Sequence, residues 1–151
     1  MAILSRGRAV CIKAGFLLML FEQQKQTGRA LGNDTLIRTG SNPDTFRGAD
    51  VCFISYDRLP KDQPTPKGPL EVAPELVIEV KSPTDRNSHV LAKVSDYLTA
   101  GVKAVVVLES AKAIGTLYRE TSAPQVLTSE EQLTLPDVLP GFSVPIREFF
   151  E

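Results

Sequence analysis

Ala73-Pro74-Glu75-Leu76-Val77-Ile78-Glu79-Val80-Lys81-Ser82-Pro83-Thr84 is the stretch on which the reading of this chain turns. Residues 75 to 81 form a compact, mostly apolar run, and Pro83 biases Ser82 away from helix, so the run reads as a central strand. In a strand, residues two apart share a face, which sets Glu79 and Lys81 side by side and turns Ile78 and Val80 toward the opposite layer. Burying such charges in a sheet is costly unless they pair or bind an ion. Two readings stay open at this point. One is structural, Lys81 pairing with Glu79 or Asp50 or lying exposed at a strand end. The other is a functional site.

Working outward, Asp50-Val51-Cys52-Phe53-Ile54-Ser55 is apolar after its first residue, as a buried strand with a carboxylate at its mouth would be. Between the two strands, residues 56 to 74 carry five of the eleven prolines and read as a long excursion loop. Residues 88 to 100 place Val90, Leu91, Val94, Tyr97 and Leu98 at helical spacing, with Gly101 as the stop. Lys103-Ala104-Val105-Val106-Val107-Leu108-Glu109 is the strongest buried-strand run, and strand, helix, strand implies a parallel crossover. Upstream, residues 8 to 26 read as a core helix stopped at Thr27-Gly28, and residues 29 to 38 as a weak strand ending at the turn-rich 39 to 44. Downstream, residues 115 to 119 and 125 to 128 read as short edge strands, followed by 133 to 135 and a tail ending in Phe149-Phe150.

With 151 residues, 42% hydrophobic, 23% charged and a net charge of -1, the chain fits a single domain over residues 1 to 151 and excludes disorder and strong overall basicity. Any nucleic-acid surface must then be local. Cys11 and Cys52 each sit in an apolar run, and with the lone His89 they assemble no zinc site; two reduced, buried thiols and a cytoplasmic location are expected. Arg6, Arg8 and Lys13 ahead of the apolar run 14 to 21 resemble a secretion signal superficially, but no small-x-small cleavage site follows and the run is too short to span a bilayer.

Antiparallel pairing of residues 49 to 55 with 75 to 81 brings the Asp50 carboxylate toward Glu79. Two carboxylates, the backbone carbonyl of Val80 and retained waters suit magnesium or manganese, and a lysine beside them suits phosphodiester hydrolysis. Glu22, near the polar end of the first helix, is read as solvated. His89 is read as a surface residue and Tyr97 as core. Arg58, Lys61, Lys67 and Arg86 are loop charges flanking the site.

Asp50, a spacer and Glu79-Val80-Lys81 resemble the PD-(D/E)xK signature, with Ala49 where proline is usual. Residues 73 to 84, then Lys93, then Tyr97-Leu98-Thr99-Ala100-Gly101-Val102-Lys103, and Leu139-Pro140-Gly141-Phe142-Ser143-Val144-Pro145 together resemble the bacterial Uma-two family of restriction-endonuclease-like nucleases, from about residue 8 to the C-terminus. The resemblance implies an α/β fold with an α-β-β-β-α-β core and a small C-terminal β appendage. It also implies magnesium-dependent endonuclease chemistry on DNA, metal-binding roles for Asp50 and Glu79, and Lys93 as a sharer or replacement of the ammonium role of Lys81. Relatives begin with an acidic, glycine-containing hairpin ahead of the first helix, whereas this chain starts almost at that helix, leaving open an incomplete site wall or an earlier start. A catalytically idle module of the same fold, binding nucleic acid or protein, is the alternative. Cutting both strands of a duplex leads us to expect a homodimer.

Overall fold

The computed structural model describes the backbone of residues 2–151 and side chains from Gly7 onward; Arg6, part of the leader-like reading, lies outside the described side chains. In chain order it contains α1 (Ala2–Lys25), β1 (Gly28–Gly40), β2 (Thr45–Ser55), β3 (Leu76–Lys81), α2 (Asn87–Ala100), β4 (Ala104–Glu109), β5 (Ile114–Arg119), β6 (Ser122–Leu127), β7 (Gln132–Leu135), β8 (Leu139–Pro145) and a 3-10 turn at Ile146–Phe149. Six strands form one sheet in sequence order, and β7–β8 form a separate hairpin. The expected α/β core with a C-terminal β appendage is therefore present.

Side-chain alternation along the strands sorts the interior into two layers. Ile78, Val51, Phe53 and Val106 face α1 and the C-terminal hairpin, together with Leu18, Phe21, Leu133 and Phe149. Val77, Cys52, Ile54 and Val105 face α2, with Tyr97, Val94 and Leu70. β3 and β4 are parallel in the register Glu79↔Val107 and Lys81↔Glu109, with α2 as the crossover. Gly101 ends α2 at φ 110, and its N–H bonds back to Leu98 O, a left-handed cap that favours glycine.

Four expectations need correction. First, α1 is not buried on most sides: Val10, Ala14 and Leu18 pack inward, while Ile12, Phe16 and Met19 are at least half exposed on the outer face. Second, Gly28 does not stop α1. Gln26 takes the left-handed turn at φ 53, and Gly28 opens β1 because a Cβ there would collide with Ile54 O and the Phe53 ring. Third, the weak strand of 29 to 38 is a 13-residue strand, held by its antiparallel pairing to β2 and bulged at Asn33 and Asp34, both at positive φ. Fourth, residues 115 to 119 are not an edge, since β5 lies between β4 and β6.

The 56 to 74 loop has no regular strand or helix, yet it is held down. The Arg29 guanidinium donates to the carbonyls of Pro60, Lys61 and Gln63 and to Thr65, and Leu70 bridges Ile37. Among the described residues no helix is long and apolar enough to cross a membrane.

Candidate active site

β2 and β3 pair antiparallel for only three residue pairs, ending at Val51↔Ile78, and then part. Asp50 stands at the point of parting. Its Oδ2 accepts a hydrogen bond from Val80 N at 2.8 Å, so a side-chain carboxylate takes a place that a backbone carbonyl would fill in a continuing ladder. The same register brings Asp50 beside Glu79, where its charge acts on the Glu79 carboxyl.

Glu79 is 5% exposed and held from the α2 side. Tyr97 donates its phenol hydrogen to Glu79 Oε1 at 2.7 Å, and Lys93 Nζ lies 2.9 Å from the same oxygen. Residues 93 and 97 are one helical turn apart, so a single face of α2 delivers both donors. Burial and the neighbouring Asp50 charge push the Glu79 carboxyl up to about 7, against the opposing pull of Lys93 and Tyr97. Burial and Glu79 likewise raise the Tyr97 phenol, which stays protonated as a donor.

These groups open on a cleft of about 490 Å³ whose wall includes Arg47, Asp50, Glu79, Lys81 and Lys93. Asp50 and Glu79 each have one oxygen engaged by the protein, at Oδ2 and Oε1, and both residues line the cleft. Among the described residues no third acidic, histidine or cysteine side chain joins them to make a larger cluster. Two carboxylates, a backbone carbonyl and water are the donor set that magnesium accepts, so the residues fit such an ion.

Lys81 shares the face of Glu79, but its ammonium pairs with Glu109 Oε1 at 3.2 Å rather than with Glu79 or Asp50. The cause is the parallel register, which makes Lys81 and Glu109 cross-strand neighbours. Lys93, on the helix, is the ammonium in contact with the Glu79 carboxylate. Glu22 is not simply solvated, because its Oε2 accepts from Ala30 N at 3.2 Å and ties α1 to β1. His89 is exposed on the cleft wall.

None of the loop cations Arg58, Lys61, Lys67 and Arg86 lines the cleft. Arg58 instead donates to Ala73 O and Gly101 O and lies 3.7 Å from Glu75. The sequence reading missed Arg47, which is bound to Asp96 at 2.8 Å on the cleft wall, and the bond from Tyr97 to Glu79. The four-residue spacing of Lys93 and Tyr97 was the available signal for the latter.

A twisted sheet flanked by helices, with a carboxylate pair where two central strands part, defines the restriction-endonuclease-like class. The chain belongs to the Uma2 family (Uma-two above), described as "Putative restriction endonuclease", whose family model matches residues 7–147. The fold is also similar to the crystal structure of "a putative nuclease belonging to DUF820" from Anabaena variabilis ATCC 29413, with a TM-score of 0.83 and 16% identity, over 96% of this chain and 80% of that one. No curated protein matches the sequence.

Proposed function

We propose that the chain, acting as one unit, is a divalent-metal-dependent endonuclease that hydrolyses phosphodiester bonds in DNA. The observation that carries this reading is the convergence of Asp50, Glu79 and Lys93 on one cleft, with one oxygen of each carboxylate held by the protein. Asp50, Glu79 and the Val80 carbonyl would hold magnesium or manganese. When bound, the ion supplies Lewis-acid polarisation of the phosphoryl oxygen and a more acidic water. Tyr97 and Val80 N keep the two carboxylates from rotating out of position. Lys93 places its ammonium where it can orient a water and meet the negative charge that develops on phosphate oxygens. Lys81 lines the same cleft but is paired with Glu109 rather than with the carboxylates.

The test is incubation of purified protein with supercoiled plasmid and with single-stranded DNA in magnesium or manganese, beside Asp50→Ala and Glu79→Ala. Cleavage by the wild type alone is expected, with calorimetric magnesium binding lost in both variants. Cleavage that persists in Glu79→Ala overturns the assignment, and a wild type that binds DNA without cutting it points to the idle binding module.

A further inference from the structure

The face of the sheet that carries Glu79 continues past α2. Strand registers place Glu79 opposite Val107, Val107 opposite Thr116 and Thr116 opposite Val126, so these four share one row and one face. Thr116 therefore stands two strands from Glu79, roughly 10 Å away at the usual strand spacing. Val126, at 55% exposure, shows that this end of the face is open.

A second cleft of about 240 Å³ lies here against the candidate catalytic cleft, and Lys81, Val90 and Val107 line both. Its further wall brings in Asn87, Lys112 and Thr116. Thr116 is only 7% exposed, yet its hydroxyl is without a hydrogen-bond partner among the described residues. Because no fully buried side-chain polar atom lacks a partner among the described residues, that hydroxyl keeps some contact with solvent, and Thr116 lines the cleft. Asn87 is the first residue of α2, and no side chain caps this helix start: Arg86 makes no side-chain bond to it and the first turn holds no acidic residue, while the N–H groups of His89 and Val90 bond to Arg86 O. Unsatisfied N–H groups and the positive end of the helix dipole favour an anion. Asp85, the nearest carboxylate before the helix, is occupied by Ser82 N. The one carboxylate on the cleft wall, Glu109, is neutralised by Lys81, whereas Lys112 is exposed with no ion-pair partner among the described residues.

We propose that this second cleft is a phosphate subsite, which takes the phosphodiester adjoining the scissile one in a nucleic-acid strand through the Lys112 ammonium, the Thr116 hydroxyl and the start of α2 at Asn87. The inference rests on the nuclease reading and extends it with a direction: the strand runs from the carboxylates across β4 toward β5. It also accounts for how a chain of net charge -1 can grip a polyanion, since the positive charge need only be local.

The test is fluorescence anisotropy of a fluorescein-labelled ten-nucleotide single strand with wild type, Lys112→Ala and Thr116→Val, in EDTA across a salt series. Calorimetric magnesium titration of the same proteins runs beside it. Lys112→Ala is expected to weaken binding several-fold and to lower the log–log salt slope by about 0.7, the signature of one lost phosphate contact on a single strand. Thr116→Val, which removes only a hydroxyl, should weaken binding with the slope kept. Magnesium affinity should match wild type in both. Inorganic phosphate at millimolar concentration should leave the strand bound; displacement by phosphate alone would make this a free-phosphate site and overturn the strand assignment. A wild type that binds and cuts DNA, with affinity and slope unchanged in both variants, removes the subsite and leaves the nuclease reading standing. A wild type that neither binds nor cuts removes both.

Discussion

With its carboxyl pushed up to about 7 by burial and by Asp50, Glu79 retains a proton in the metal-free folded protein that an unfolded chain, near 4.5, has already released. The sign follows from linkage. The folded pKa is the higher one, so the stabilising contribution is complete below about pH 4.5 and is lost as pH rises through about 7. The rise corresponds to about 3 kcal/mol, and at roughly 2–4 °C per kcal/mol for a domain of this size the loss is several degrees in Tm. Thermal melts in EDTA from pH 5 to 8 should show this decline, Glu79→Gln should flatten it, and magnesium at pH 8 should restore stability to the wild type alone. A wild-type slope equal to that of Glu79→Gln would show that Glu79 does not carry the effect. At the same scale the two lysines should separate. Lys93 touches Glu79 whereas Lys81 is held by Glu109, so Lys93→Ala should lower single-turnover cleavage by about 10²–10³-fold and Lys81→Ala by far less. The reverse order would return the ammonium role to the strand.

Among the elements, the join between the end of β2, the start of β3 and the end of α2 depends on one buried carboxylate. Glu75 is 8% exposed, accepts from Ser55 N at 2.9 Å through Oε1, and lies 3.7 Å from Arg58 through Oε2. Its own carbonyl accepts from Lys103 N and Ala104 N at the entry of β4, and Arg58 also donates to Ala73 O and Gly101 O. Arg58→Ala removes the charge partner and leaves two carbonyls short of a donor. Because the Arg58 side chain is about a quarter exposed, the cost expected for a buried pair is discounted to about 2–3 kcal/mol. Urea unfolding should show a lower midpoint with an unchanged slope. Arg58→Lys should recover little of it, since one ammonium does not reproduce the planar fork. An unfolding free energy within about 0.5 kcal/mol of wild type would mean that water replaces Arg58 without loss.

For the whole molecule, the proposed chemistry sets an expectation of assembly. One cleft cuts one strand, and a double-strand break is most simply made by two clefts related by a twofold axis. Light scattering at micromolar concentration should return about twice 16.5 kDa. A monomer mass together with nicked, unlinearised plasmid would instead assign the protein to single-strand cutting.

What the sequence determined by itself were the features written in local patterns. The all-apolar run 104 to 108 reads as a strand buried on both faces, residues 88 to 100 repeat at helical spacing up to Gly101, and the alternation of 75 to 81 assigned Ile78 and Glu79 to opposite layers. The candidate residues Asp50, Glu79 and Lys81 were legible because charge inside or beside apolar strands needs a cause, whereas Lys93, on the helix, was indicated only by the family resemblance. What the tertiary structure alone decided were the pairings. The full length of β1 comes from its partner strand, since the sequence alone signals only a weak, shorter strand over residues 29 to 38. The Lys81–Glu109 pair comes from the parallel register of β3 and β4, and the grip of Lys93 and Tyr97 on Glu79 from how α2 seats on the sheet. Composition and periodicity assign a side chain to a face, but which of several charges on that face come within 3 Å depends on strand register and helix seating, and those are set by packing among residues far apart in the chain.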